Sequence, residues 1–382
     1  MSPNTAMNFG GDDPDGAFLM TKAFSQDEAD DIIGEDAILS ESPRTVADMN
    51  AFLCSRVSTV LPSPPLTEQY EEGMIDVKRC PRQRRIRSGS ICGPPSGGGD
   101  GLKSYKLAYR IYRPELLRSM ERAPILALHG GPSLPSQYLH PIAEYFPDRS
   151  VIFYDQLGCG KSCSPTDVGL YSLSKSIDDL EALLLALKMN RFHLLGHSFG
   201  GVLAFEYCKK IAERAGREDL GWRDDPEVLS LTLSNSFTCA KLCDAERERL
   251  LGPIASHSEG DEEGIDDEFW RLHQCRLPAV PPILEDALQN WGVPWHERAS
   301  SPLSSYAATA PSRWASDLPP ALILRGEHDF VTPSCIRGWR ESVWNHQDVA
   351  EVTLEGCAHY CHLEDKTSFG HLVAGFCKER DH

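Results

Sequence analysis

The 382-residue chain predicts a doubly wound α/β sheet, on three observations. First, short and nearly continuous apolar runs recur at Pro124–Leu128, Val151–Tyr154, Phe192–Leu195, Val228–Leu233 and Ala321–Leu324. Runs of this kind suit strands covered on both faces, as the strands of a parallel sheet are. Second, helical spacing appears between them, in Ile177, Leu180, Leu183, Leu184 and Leu187 after a start at Ser174 or Ser176, and in Val202, Leu203, Phe205 and Tyr207 just after Ser198. Third, the two patterns alternate, which is the order a parallel sheet with crossover helices requires.

Residues 1–65 are acidic and rich in small residues, and predict a disordered extension. The core starts at about 66 with two alternating segments, Gly73–Val77 and Tyr105–Tyr112, read as an antiparallel leading hairpin. Between them, residues 78–101 join the basic run KRCPRQRRIR to the spacer GPPSGGGDG and read as a solvated insert; a localisation signal or anionic-partner patch is the other reading. The first part of the core ends near 236. The rhythm then fails over 237–310, where acids, Pro and Trp punctuate helical fragments at Ala245–Leu251 and Glu268–Leu277. So long an insertion between strands predicts a helical cap over the sheet. Residues 311–382 return to the core, with Val349–Leu354 alternating as an edge strand would.

With 41% hydrophobic residues the chain can bury a sizeable core. Its net charge of −18 argues against a duplex nucleic-acid partner, because such binders must neutralise phosphates. Residues 1–50 hold eleven acids against two bases, so much of the excess sits in the extension. An acidic start is unlike a signal or transit peptide, and no apolar run approaches the ~20 residues needed to cross a bilayer. Thirteen cysteines, an odd number without a disulfide framework, suit a reducing compartment; a cytoplasmic protein is expected.

Four of the apolar runs lead into chemistry-bearing segments: His129-Gly130-Gly131-Pro132, Gly196-His197-Ser198-Phe199-Gly200-Gly201, Gly326-Glu327-His328-Asp329 and Gly356-Cys357-Ala358-His359. Ligands of open α/β sheets bind beyond the carboxyl ends of the strands, where these four segments converge. Gly196–Gly200 has the G-x-S-x-G form of a nucleophile elbow between strand and helix. A serine hydroxyl needs a base to take its proton, and the imidazole needs a carboxylate to fix its tautomer. Asp329 and His359 follow Ser198 in the chain order expected of an α/β-hydrolase fold. Glu327 competes with Asp329 if the strand ends two residues early, and His197, His328 and His362 are the other imidazoles in these segments. For the oxyanion, the N–H groups of Phe199 and Gly131 are the expected donors.

Taken together, HGGP at 129–132, YDQLGCGKS at 154–162 and GHSFGG at 196–201 resemble the proline iminopeptidase family of α/β hydrolases, which includes the tricorn-interacting aminopeptidases. The likeness spans roughly Leu66 to Phe376. It implies a serine aminopeptidase that releases proline or other N-terminal residues from short peptides, using Ser198, Asp329 and His359 and no cofactor. The chain departs from the family in two places. Ser133 replaces the last glycine of H-G-G-P-G. Cap carboxylates of the family hold the substrate's free amine; here Asp266, Asp267 and Glu268 are candidates, and the stretch Arg298–Ala315 contains no acid at all.

Other signals have plainer readings. Cys357, His359, Cys361 and His362 have the residue types of a soft-metal site, but His359 is claimed as base and no matching cysteine pair completes a zinc set, so no metal is expected. Asp155 reads as a structural turn residue, and Gly158–Ser162 lacks the spacing of a phosphate loop. Two further functions remain on the same residues: a carboxylesterase or small-molecule amidase, and a non-catalytic hydrolase-fold binding protein.

Overall fold

The computed structural model describes residues 70–79, 103–215, 225–257, 262–293, 302–345 and 348–381. The acidic extension at 1–65 and residues 80–101 of the expected insert lie outside them. In chain order the elements are β1 (Tyr70–Arg79), β2 (Lys103–Tyr112), β3 (Ile125–Leu128), a 3-10 helix (Ser136–Tyr145), β4 (Val151–Tyr154), α1 (Leu173–Leu187), β5 (Arg191–His197), α2 (Phe199–Ala215) and β6 (Glu227–Ser234). Next come α3 (Ala240–His257), α4 (Glu262–Phe269), a π turn (Trp270–Gln274) and α5 (Pro282–Gln289). The chain then returns through β7 (Ala321–Gly326), α6 (Pro333–Gly338), β8 (Val349–Leu354), α7 (Cys361–Glu364) and α8 (Lys366–Lys378).

The eight strands form one sheet in the order β1-β2-β4-β3-β5-β6-β7-β8. β1 and β2 form the expected antiparallel hairpin, β2 pairs antiparallel with β4, and every pair from β4 to β8 is parallel. Side chains alternate between two cores because successive residues of a strand face opposite ways. Leu126, Leu128, Ile152, Tyr154, Leu194, Leu231 and Ile323 pack on the face covered by α1 and α2. Ile125, Ala127, Val151, Phe153, Leu195, Leu322 and Leu324 pack on the opposite face with the 3-10 helix and α8. Each fully buried Leu, Ile or Phe contributes about 1.5–3 kcal/mol. That is why a run of four apolar residues suffices for β3 or β4.

Three boundaries differ from expectation. β1 continues to Arg79, so the basic run begins inside a strand rather than in a solvated insert; the Arg79 guanidinium is buried against the Asp179 carboxylate of α1 and donates to the Lys175 carbonyl at 2.7 Å. Helix α1 begins at Leu173 because Ser172, two residues before the earlier expected start, caps it by accepting the Lys175 N–H at 3.2 Å. In the insertion, the fragment expected at Glu268–Leu277 stops as helix at Gln274, through the π turn.

Candidate active site

β5 delivers Ser198 to the rim at the carboxyl end of the sheet. The residue has φ 55°, a left-handed conformation that a side chain adopts only under constraint. Two contacts impose it: Ser198 N–H donates to the Ser234 carbonyl at 2.8 Å, and Gly201 N–H donates to the Ser198 carbonyl at 2.9 Å. Glycine is required on either side, since a Cβ at Gly196 would strike the Gly200 backbone and one at Gly200 would strike the Leu128 carbonyl. The serine is thus aimed by backbone geometry rather than by its own side chain.

Asp329 follows β7 and is buried. Its Oδ1 accepts from His359 Nδ1 at 2.9 Å and from Val331 N–H at 2.9 Å, and its Oδ2 accepts from Asn235 Nδ2 at 2.8 Å. A carboxylate only accepts, so Nδ1 of His359 carries the hydrogen. Nε2, which has no hydrogen-bond partner among the described residues, is left as the proton acceptor a general base must present. Glu327 does not compete. Its carboxylate is half exposed, accepts the Gly356 N–H at 2.9 Å and pairs with His328.

The residue before Ser198 is bonded to the His359 loop. His197 Nε2–H donates to the His359 carbonyl at 2.8 Å, and the two rings lie 4.9 Å apart. The Ser198 hydroxyl makes no hydrogen bond to His359 among the described residues. His197 is buried among the Tyr138, His359, Tyr360 and His362 rings and is bonded at both nitrogens. Tyr138 O–H donates to His197 Nδ1 at 2.8 Å, and Gly130 N–H donates to the Tyr138 oxygen at 2.8 Å. Burial, with the nearby His359 next in effect, holds the His197 pKa well below the usual imidazole value, which keeps the ring neutral in this one tautomer.

That chain of bonds spends the Gly130 N–H. The Gly131 N–H has no internal partner among the described residues, and Gly131 sits at φ 108°, a conformation suited to glycine. Gly130 stands directly against Ser198: a Cβ there would lie 2.8 Å from the serine Cβ. Phe199 is the first residue of α2, so its N–H lies at the positive end of the helix dipole. His129 and Gln156 lock the loop from behind. Gln156 N–H donates to His129 Nε2 at 2.9 Å, and His129 Nδ1–H donates to the Gly130 carbonyl at 2.9 Å. Asp155 is saturated by Ser136 N–H, Ser136 O–H and Lys161 N–H, as a turn residue would be.

The insertion between β6 and β7 is stitched to this rim. Ser133, the residue that departs from H-G-G-P-G, donates its hydroxyl to the Val293 carbonyl and accepts the Gly292 N–H at 2.8 Å. Phe330 lies 4.5 Å, centroid to centroid, from the His359 ring, and Phe269 of α4 lies 6.3 Å beyond it. Of the three candidate amine-binding acids, Asp266 and Asp267 face solvent, while Glu268 is half-buried and pairs with Arg271. Sequence reasoning missed Asn235, Tyr138, Glu246 and Glu364. Of these only Asn235 carried a signal, standing directly after a strand end. Glu246, on α3, accepts the Thr332 hydroxyl at 2.8 Å, three residues past Asp329. All ten described cysteines are free thiols.

A model of the alpha/beta hydrolase family matches residues 125–368, well over half of the chain. The proline iminopeptidase of Chitinophaga pinensis is 40% identical over 272 residues, covering 63% of this chain and 84% of that protein. That of Lactobacillus crispatus is 35% identical over 305 residues, covering 72% of this chain and 97% of its own. The chain belongs to the proline iminopeptidase family of α/β hydrolases. Among solved structures, the proline iminopeptidase of Mycobacterium smegmatis superposes with a TM-score of 0.61 at 24% identity, over 72% of this chain and 96% of that one, which shows the shared fold. As a family member the chain is a serine aminopeptidase-type hydrolase.

Proposed function

We propose that the enzyme releases N-terminal proline, or another N-terminal residue, from short peptides through an acyl-enzyme. Ser198 Oγ attacks the carbonyl as His359 Nε2 takes its proton, and Asp329 holds the imidazolium that results. The Gly131 and Phe199 N–H groups receive the oxyanion. His359 then gives the proton to the leaving amine, the C–N bond breaks, and water activated by the same imidazole hydrolyses the ester. The observation that carries this reading is the His359–Asp329 hydrogen bond, which leaves Nε2 unspent on a loop bonded to His197, the residue before the elbow serine.

Free-amine recognition falls to the insertion, read here as a helical cap over 237–310, with Asp266, Asp267 and Glu268 as its candidate carboxylates. The rest of the core is then 66–236 and 311–382, and 1–65 is an appended acidic extension. Free thiols throughout the described chain favour a reducing, cytoplasmic setting.

Turnover of proline-β-naphthylamide tests the reading. Ser198→Ala abolishes it with the fold intact; undiminished turnover overturns the assignment. An N-acetylated substrate separates an aminopeptidase, which rejects it, from an esterase or amidase, which is indifferent. A folded protein that resists a fluorophosphonate probe would instead be a binding protein.

A further inference from the structure

A general base works only where it is held, because a displacement of about 1 Å costs about 100-fold in rate. The loop carrying His359 is held by a residue that takes no part in the chemistry. Glu364 closes the short helix α7, and its half-buried carboxylate turns back beneath the loop. Oε2 accepts the Ala358 N–H at 2.9 Å and the Tyr360 N–H at 3.1 Å, so the residues immediately before and after His359 are tied to one oxygen. Oε1 accepts the Arg276 N–H at 2.7 Å, two residues beyond the π turn of the insertion.

The turn and Arg276 beyond it make further bonds to both candidate catalytic loops. His359 N–H donates to the Gln274 carbonyl at 2.9 Å, and Arg276 Nε donates to the Gly356 carbonyl at 3.1 Å. On the acid's side, His273 Nδ1–H donates to the His328 carbonyl at 2.8 Å, and Phe330 N–H donates to the His273 carbonyl at 3.4 Å. Helix capping explains one of the Glu364 contacts, since Tyr360 precedes α7. The Ala358 and Arg276 contacts lie outside the helix and have no capping role. Burial raises the Glu364 pKa while the three N–H donors oppose it, as expected of a carboxylate spent on backbone.

We propose that Glu364 is a positioning residue for His359, and that through it and the Gln274 carbonyl the Trp270–Gln274 turn of the insertion sets where the imidazole stands. This rests on the reading of Ser198, Asp329 and His359 as the catalytic set. Its consequence is that the insertion completes the base: a substrate contact made on the turn is one hydrogen bond from His359.

The test compares wild type with Glu364→Ala and Glu364→Gln. Active sites are titrated with a fluorophosphonate, so that unfolded protein drops out of kcat, and the low-field Nδ1–H resonance of His359 is followed by NMR. Glu364→Ala lowers kcat per titrated site by about 100-fold with KM within about threefold, and weakens or broadens the resonance. Glu364→Gln keeps one carbonyl oxygen, hence part of the clasp, and recovers about tenfold of that loss. A folded Glu364→Ala enzyme with wild-type kcat and an unmoved resonance overturns the proposal. Should the alanine variant fail to fold, the glutamine variant decides: about a tenfold lower kcat at unchanged KM supports it, and wild-type kcat with an unmoved resonance overturns it. A wild-type enzyme that neither reacts with the probe nor turns over substrate would defeat the catalytic reading itself, a result separable from either variant outcome.

Discussion

At the amino end of β5, His193 Nε2–H donates to Asp381 Oδ1 at 3.1 Å; at the carboxyl end, beside Ser198, His359 Nδ1–H donates to Asp329 Oδ1 at 2.9 Å. Both carboxylates are fully buried and both rings are nearly so. What differs is the rest of each shell. Asp381 also accepts from Arg149 at 2.8 and 3.0 Å, from Arg122 at 3.0 Å and from the Ala123 N–H at 3.1 Å, and the second nitrogen of His193 is bonded to Ser230 at 2.8 Å. Among the described residues, Asp329 accepts only from His359, from the Asn235 amide and from the Val331 N–H, with no guanidinium bonded to it. One pair has every lone pair and proton committed. The other, among the described residues, keeps one ring nitrogen unspent and no fixed cation competing for the carboxylate. In the proposed mechanism a histidine–carboxylate pair therefore becomes a base through what its neighbours leave undone, whereas the first pair is a clasp that fastens Asp381 to the sheet.

The largest expected effect lies at the carboxyl rim. His359→Asn keeps an N–H for Asp329 but has no imidazole, so kcat should fall by on the order of 10⁶-fold. The melting temperature should barely move. Equal losses of activity and stability would erase the distinction between the two pairs. Asp381→Ala should show the reverse pattern. It strands the Arg149 guanidinium, which is 2% exposed, and removing one partner of a buried ion pair costs about 3–5 kcal/mol. Denaturant titration should register that loss, while kcat per titrated site stays at the wild-type value.

Acid should loosen the molecule in two stages. Burial, ahead of every other cause, lowers the pKa of His129, His193 and His197, and brings His140 and His362 down to about 3. Below about pH 6.5 the unfolded chain takes up protons that these rings refuse, so stability falls with pH by up to about 1.4 kcal/mol per unit for each ring. The second stage belongs to Asp381. Burial alone would raise its pKa, but the hydrogen bonds from His193 and Arg149 overcome this and hold it far below the carboxylate range. Its contribution is complete above about pH 4 and is lost as pH drops toward its folded value. Urea midpoints measured from pH 8 to pH 3 should decline from near 6.5 downward; a flat profile between 6.5 and 5 would mean that the rings titrate normally.

Much of the fold was legible in the sequence because its strands are buried on both faces and so appear as unbroken apolar runs. The leading hairpin was legible from its alternation. Ser198, Asp329 and His359 were legible as a candidate set because each stands within five residues of a strand end. The holding groups were not. Asp381 lies 188 residues from His193 and Glu364 lies 88 from Arg276, and a carboxylate that binds backbone N–H groups leaves no pattern of residue types. Arg79 looked solvated because five of its basic neighbours share its run, whereas its partner Asp179 sits a hundred residues on, inside an amphipathic helix.

The smallest effect sharpens the comparison at the carboxyl rim alone. Ser133 stands where the family pattern has glycine, and its hydroxyl ties the oxyanion-side loop to the Val293 carbonyl. Ser133→Ala removes that bond without altering backbone freedom. A neutral hydrogen bond contributes about 1 kcal/mol, so stability should drop by about that amount. The Gly292 N–H still reaches the Ser133 carbonyl, so the insertion stays docked and kcat should change less than about threefold. If the hydroxyl instead sets the Gly131 N–H for the oxyanion, kcat falls by about 100-fold, the loss typical of an oxyanion donor, while KM holds. Proline-β-naphthylamide kinetics on the titrated variant decide between the two, and the second result would extend the base's dependence on the insertion to the oxyanion site as well.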